Sequence, residues 1–336
     1  MALPKAGKRD WSNPRSYWLI ALLSVLGKGL ERILARRMAW IAVKHKVLHP
    51  QQFGALPARS AMDLAAALIH DVEEAWQKRL KASMLTLDIK GAFDAVLPGR
   101  LVQRLKTQGW PPPVLRWVAS FTQDRTASLR LDDHNSQTFS VPAGLPQGSP
   151  ISPILFMLFI QPLFQIGTLA LCCGHFGYAD DICQLVASHS LDENCNTLQQ
   201  TAEEMNNWGS TEGLTFDFAK MELQHFTRDN TGHNPSCTIH QGSQDFSIQP
   251  PHREAVRWLG IWFDCKLTFR SHARNLATRA HLTASGIRAL GNTVRGVQPR
   301  LLRQATVACV LPQLAYGAEA WWSGLSRPGK TRLISN

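Results

Sequence analysis

Apolar positions along the chain change their period several times, and each change marks an element. Residues 19–38 are apolar with Lys28, Arg32, Arg36 and Arg37 on the polar side, which predicts a helix. After Ser60, the residues Leu64, Leu68, Ile69, Val72, Ala75 and Trp76 recur at the 3.6-residue period of a second helix. Leu85, Leu87 and Ile89 then alternate with Thr86 and Asp88. That is the two-residue period of a strand, with Asp88 on the face opposite the apolar side chains. Pro111-Pro112-Pro113 interrupts the chain ahead of a helix carrying Trp117 and Phe121. Residues 128–141 read as paired strands around Asp132-Asp133-His134-Asn135.

A Gly/Pro loop, Ala143-Gly144-Leu145-Pro146-Gln147-Gly148-Ser149-Pro150, leads into an apolar run over residues 151–173. Pro153, Gln161, Pro162 and Gln165 interrupt that run, so it predicts a buried helix followed by a strand and not a membrane span. Ser190 with Glu193 spells a capping box for a helix striped by Leu191, Cys195, Leu198, Ala202, Met205 and Trp208, which Gly213 ends. Leu214, Phe216 and Phe218 alternate as a strand leading to Lys220. Residues 227–252 are polar and read as a surface excursion, 258–263 as one short strand, and the remainder to about residue 320 as basic helix. Residues 1–16, rich in Lys, Arg and Pro, read as an arm that lies against something else. Strands interleaved with helices, without a βαβ rhythm or an internal repeat, predict an α+β fold.

Charge refines this picture. The 336 residues carry a net +11, and the distribution is uneven. Residues 1–50 hold ten Lys and Arg against Asp10 and Glu31, and residues 266–336 hold eleven against Glu319 alone. The middle, 51–265, holds 15 basic against 22 acidic side chains. Basic ends around an acidic centre suit a polyanion gripped from two sides, with the carboxylates kept for cations. The length fits two or three lobes. Seven cysteines, with only Cys172 and Cys173 close together, show neither metal-ligand spacing nor a disulfide framework. The chain therefore reads as intracellular and reduced, without a secretory leader.

The chemistry centres on Tyr178-Ala179-Asp180-Asp181, ahead of the β-rich Ile182-Cys183-Gln184-Leu185-Val186. Two carboxylates at a hairpin tip form a poor structural element and a good cation site. Consecutive strand residues face opposite ways, so a cation there needs a carboxylate from elsewhere, and Asp88 at a strand end supplies it. Two divalent ions held by such a set are the means by which phosphoryl transfer is catalysed.

Six segments in order resemble the reverse transcriptase domain of LINE-type (non-LTR) retrotransposons, most like those of fungi and insects. They are Asp88-Ile89-Lys90-Gly91-Ala92-Phe93-Asp94; Gly144 through Pro153; Phe176 through Asp181; Gly213-Leu214 through Lys220-Met221-Glu222; Leu259-Gly260-Ile261-Trp262-Phe263-Asp264; and the tail ending Glu319-Ala320-Trp321-Trp322. The resemblance covers about residues 12–322. It implies a right-hand polymerase with fingers at 1–85, a palm with an antiparallel sheet at 86–265, an inserted fingers segment at about 98–142, and a helical thumb at 266–336. It implies RNA-directed DNA polymerase activity with two Mg²⁺ (or Mn²⁺), an RNA template, a DNA primer and deoxynucleoside triphosphates, in the nucleus. It implies neither a membrane nor an obligate protein partner.

The resemblance also distributes roles. Asp88 and Asp180 bind the metals, with Asp181 beside them and the Ile89 carbonyl as a further ligand. Phe93 matches the gate that excludes a ribose 2′-hydroxyl, although its spacing alone equally fits a core aromatic. Gln147 and Gly148 lie along the incoming nucleotide, Lys220 protonates the leaving pyrophosphate, and Leu259 with Gly260 forms the primer grip. One position departs. After Pro14-Arg15-Ser16-Tyr17 the family carries an Arg on the triphosphate, where this chain has Trp18. Lys5, Lys8 and Arg15 are the nearby basic side chains that offset that loss. Ala61 also stands where Thr is usual. With no endonuclease or ribonuclease H motif in the chain, it reads as an excised or decayed copy. The alternatives are a weakened relic that still binds RNA or primer–template, and an intron-encoded maturase, which the Gly317-Ala318-Glu319-Ala320-Trp321-Trp322 wording argues against.

Overall fold

A computed structural model describes residues 1–322 apart from 6–9, 11, 14–15, 132–133, 168–172, 230–231, 243, 252–254 and 292–295. The N-terminal arm is not loose: β1 (Ala2–Pro4) pairs antiparallel with β2 (Tyr17–Leu19), Ala2 opposite Leu19. That pairing removes residue 19 from the helix expected there, and α1 (Val25–Lys44) starts after Ser24. The helix runs past residue 38 because Met38, Ala39 and Ala42 are buried against the core. β3 (Gln52–Phe53) follows, then α2 (Ala61–Gln77), whose capping box joins Ser60 and Asp63 and whose stripe from Leu64 to Ala75 is buried as expected.

β4 (Lys81–Leu87) leads through α3 (Pro98–Thr107) and α4 (Pro112–Thr122) to two small ladders. These are β5 (Thr126–Ala127) with β8 (Phe139–Ser140), and β6 (Arg130–Leu131) with β7 (His134–Asn135). α5 (Ser152–Ile160) is buried on all sides, the expected fate of a helix without a polar face. Among the described residues no helix is long and apolar enough to cross a membrane. β9 (Cys173–Tyr178) and β10 (Asp181–Ser188) form the hairpin that carries the acidic pair.

α6 (Leu191–Glu212) is capped by Ser190, but the hydroxyl accepts from the Asp192 amide and the expected box with Glu193 does not form. Gly213 ends the helix in the left-handed region at φ 84°. The strand expected over 214–218 reduces to a single bridge between Phe216 and Ile89, followed by a 3₁₀ turn at Phe218–Lys220. Phe218 leaves the strand line there to stack on Phe246, 5.0 Å away.

After β11 (Leu223–Phe226), the expected surface excursion contains a hairpin of β12 (Cys237–Gln241) and β13 (Gln244–Ile248). Cys237, Ile239 and Ile248, with the partly buried Phe246, alternate inward and close the core over α6, while His240, Asp245 and Ser247 face water. The single strand expected at 258–263 is two, β14 (Val256–Trp258) and β15 (Ile261–Phe263). The turn Leu259-Gly260 has φ of 49° and 80°, the positive values a two-residue hairpin requires. α7 (Arg270–Ala289), α8 (Pro299–Ala305), α9 (Leu311–Leu314) and α10 (Ala318–Trp321) complete the basic helical end.

Five strands make the central sheet in the order β11-β4-β10-β9-β3, antiparallel except for β3 beside β9. Alternation along β4 and β10 feeds two separate cores. Leu85, Leu87, Ile182 and Val186 join α1, α5 and α6 on one face, while Met84, Cys183 and Leu185 join α2, β14 and β15 on the other. Gly177, in β9, is where the first core comes closest to the sheet: a Cβ there would overlap the Phe164 ring, which is 1% exposed. Gly177→Ala is expected to destabilise the fold by about 1–3 kcal/mol through overpacking, read as a lower denaturant midpoint at unchanged m-value. An unchanged midpoint would show that Phe164 can yield.

Candidate active site

Register places the carboxylates. Ile182 pairs with Leu87 and Tyr178 with Asp181, so one step beyond the first pair Asp181 and Asp88 lie across from each other, with Asp180 on the turn. That turn is held from beneath. The Ala179 amide donates to the Phe53 carbonyl at 3.0 Å, and Gly54 packs so closely that a Cβ would meet the Ala179 nitrogen at 2.8 Å. Both carboxylates of the pair reach the surface, yet they sit in a recess crowded by protein, and that crowding dominates their ionisation. Asp180 is raised above the ordinary carboxylate range by burial and by Asp88. Asp181 is raised to about 6 by burial, then by Asp180 and Asp88. Asp88, Asp180 and Asp181 act on one another electrostatically across the hairpin, and acids so grouped suit divalent cations.

Lys220 answers part of that repulsion. Its Nζ donates to Asp88 at 2.7 Å and lies 3.4 Å from Asp217, and the bond to Asp88 is the main reason its pKa is raised. Asp217 also lies 3.9 Å from Lys90, and its amide donates to the Asp88 carbonyl at 2.8 Å. The Lys90 amide donates to the Thr215 carbonyl at 2.8 Å. These two bonds flank the Ile89–Phe216 bridge, so Ile89 is in a non-hydrogen-bonded pair and its own carbonyl points away from Phe216.

A cleft of about 1420 Å³ opens here, larger than the roughly 300–1,000 Å³ of a pocket for one small molecule. Asp180, Lys220, Ile89, Phe93, Gln147, Gly148 and Lys5 all line it. Phe93 stacks on the buried Phe156 at 5.0 Å, as a core aromatic would, and also borders the cleft. Gly148 is at φ 111°, and a Cβ would meet the Ala21 carbonyl oxygen at 2.9 Å, so its bareness serves an approach to the chain's own backbone. Gln147 donates weakly to Asp94 at 3.4 Å, and its carbonyl accepts from the Ala21 amide at 2.7 Å.

Leu259 and Gly260 are not brought to this cleft. Their turn lies against Tyr316, whose hydroxyl donates to the Leu259 carbonyl at 2.9 Å. Lys8 and Arg15 fall outside the described residues. For Trp18 the backbone alone is described, opposite Leu3 in β1. Sequence reasoning assigned no role to Asp217 or Asp94, although both line the cleft and Asp94 is raised by burial. Asp217 sits three residues before Lys220, a spacing that could have flagged it.

The sequence pattern of the family described as "Reverse transcriptase (RNA-dependent DNA polymerase)" matches residues 3–263. Among curated proteins, the "Probable RNA-directed DNA polymerase from transposon BS" of Drosophila melanogaster is 27% identical over 325 residues, 96% of this chain and 35% of the relative. The "RNA-directed DNA polymerase from mobile element jockey" of the same species is 27% identical over 278 residues, 81% of this chain and 29% of the relative. The chain thus spans about a third of the length of these relatives. Among solved structures, apo telomerase from Candida tropicalis superposes with a TM-score of 0.51 at 12% identity, covering 87% of this chain and 50% of that one. The same telomerase in complex with a TWJ fragment of telomeric RNA gives 0.50 at 11% identity, covering 88% and 46%. At that identity the likeness speaks for the fold, and the expected α+β right-hand polymerase holds.

The raised carboxylate gives a signed expectation. Unfolded, Asp181 ionises near 3.8; folded, near 6. Between those values the folded chain keeps the proton and the unfolded chain has lost it, so stability falls as pH rises and the penalty is complete above about 6. In chelator-containing buffer, Asp181→Asn should raise the Tm at pH 7–8, and the gain should fade as pH approaches 4. A gain independent of pH would sink this electrostatic account.

Proposed function

The chain belongs to the reverse transcriptase (RNA-dependent DNA polymerase) family as a LINE-type (non-LTR) member, and from that premise we propose that it extends a DNA primer on an RNA template with deoxynucleoside triphosphates. The observation that carries the reading is the meeting of Asp88, Asp180 and Asp181 beside a cleft lined by Gln147, Gly148 and Lys220. The family uses divalent metal ions; here the pair is Mg²⁺, with Mn²⁺ as a substitute, held by Asp88 and Asp180 with Asp181 and the Ile89 carbonyl in support. Bound there, the ions stabilise charge on the attacking 3′-oxygen and the leaving pyrophosphate.

The chain's own residues do the rest. Phe93, backed by Phe156, forms a rigid wall at the sugar and turns away a 2′-hydroxyl. Gln147 and Gly148 set the edge of the nucleotide site, and Lys5, which also lines the cleft, supplies positive charge to it. Lys220, bonded to Asp88 and flanked by Asp217, is a charged donor that would hand a proton to the leaving pyrophosphate. Leu259 and Gly260, against Tyr316, contact the primer outside the cleft. The division into fingers (1–85), palm (86–265, with 98–142 inserted) and thumb (266–336) accompanies this reading, although the palm sheet also recruits β3 and the start of β4. Copying onto chromosomal DNA would put the protein in the nucleus. Nothing in the described site specifically favours the relic or the maturase alternative.

Primer extension on poly(rA)/oligo(dT) with Mg²⁺ tests the proposal: wild type should extend and Asp180→Ala should fall to background. Equal, background-level signals from the two proteins would end it. Trp18→Arg, which restores the family's phosphate clamp, should raise kcat/KM for the nucleotide by up to about 10²–10³, the scale of one transition-state charge contact. No gain would show that the clamp is already replaced.

A further inference from the structure

Glu31 is the one acid on α1, a helix otherwise charged by Lys28, Arg32, Arg36, Arg37 and Lys44. An acid in such company would ordinarily be a solvated charge. Instead it is 7% exposed, and its partner Ser149 is 4% exposed, 118 residues further along the chain. The Ser149 hydroxyl donates to Glu31 Oε2 and accepts from the Ile151 amide at 3.3 Å, just where α5 begins. A carboxylate is not buried at this level without a purpose, because its desolvation must be offset by strong hydrogen bonds.

We propose that Glu31 is a positioning residue for the nucleotide loop, an inference that rests on the polymerase reading above. The loop meets α1 and the segment before it at three successive residues. The Gln147 carbonyl takes the Ala21 amide at 2.7 Å, Gly148 lies against the Ala21 carbonyl, and Ser149 is tied to Glu31. The first two contacts are made by backbone, so the third is where side-chain chemistry fixes the seam. Tyr17 and Leu19, which lead into α1, and Gln147, Gly148 and Ser149 of the loop all line the cleft. Glu31 therefore sets the relation between α1 and the loop without lining the cleft itself. Loosening it should weaken nucleotide binding and leave the reacting groups at Asp88 and Asp180 in place.

Primer extension measured against nucleotide concentration separates these effects. Glu31→Ala and Ser149→Ala should each raise the nucleotide KM by about tenfold, the scale of one charge-assisted hydrogen bond, with kcat changed by less than about threefold. Glu31→Gln, whose amide oxygen still accepts the Ser149 hydroxyl, should stay within about twofold of wild type. The double variant Glu31→Ala/Ser149→Ala should be no worse than either single change, because both remove one contact. Independently of substrate, amide hydrogen exchange across residues 144–151 should quicken in the alanine variants and not in Glu31→Gln. Losses confined to kcat, additive singles, or Glu31→Gln behaving as Glu31→Ala would overturn the positioning role. Unchanged exchange in an active wild type overturns the seam, whereas a wild type that never extends primers overturns the polymerase reading and the nucleotide role with it.

Discussion

Asp88 and Asp181 face each other one step past the last pair of β4 and β10, with Asp180 beside them on a two-residue turn. Like charges brought this close would drive a flexible segment apart, so the surrounding structure has to hold them. The sheet does so by register, since slipping one residue would send every side chain of β10 to the wrong core. β3 and Gly54 hold the turn from below, and the bonds of Asp217 and Lys90 hold the far side of Asp88. Lys220 takes up part of the repulsion directly. The site is thus a strained electrostatic arrangement made durable by two cores, one on each face of the sheet.

Much of this was readable in the sequence where the signal is local. The helix opened by Ser60, the α6 stripe ended by Gly213, the buried run of α5 and the hairpin at Asp180-Asp181 each rest on residues within a few positions of one another, whereas the box expected at Ser190 with Glu193 does not form. What escaped depends on distant partners. Phe216 has the look of a strand residue, but among the described residues it forms a single isolated bridge, with Ile89. The hairpin of β12 and β13 hides its inward Cys237 and Ile239 among Thr, His and Gln, so its average polarity reads as surface. Glu31 carries no local mark, because its partner Ser149 lies 118 residues away, and the tie of Asp217 to the distant Asp88 is likewise invisible even though its spacing to Lys220 is local.

The glycines at 54 and 148 divide the same problem between them. Each lets two stretches of main chain touch where a methyl group would separate them, one beneath the acidic turn and one in the loop that leads into α5. Backbone-to-backbone contact of this kind leaves little slack, which suits a site whose reacting groups must be held to fractions of an ångström.

The parallel pairing of β3 with β9 carries a consequence for how the protein is made. Gln52 leaves the ribosome well before Gly177, its partner, and β4 must wait about as long for β10. Until then α2 has no sheet to cover, and its row of Leu64, Leu68 and Val72 stays open to water. Contacts this far apart in sequence form slowly, and the growing chain spends that interval with its stickiest surfaces uncovered. Synthesis is therefore the stage at which these apolar rows are most exposed, and the register that sets Asp88 opposite Asp181 is reached only once β10 has been made.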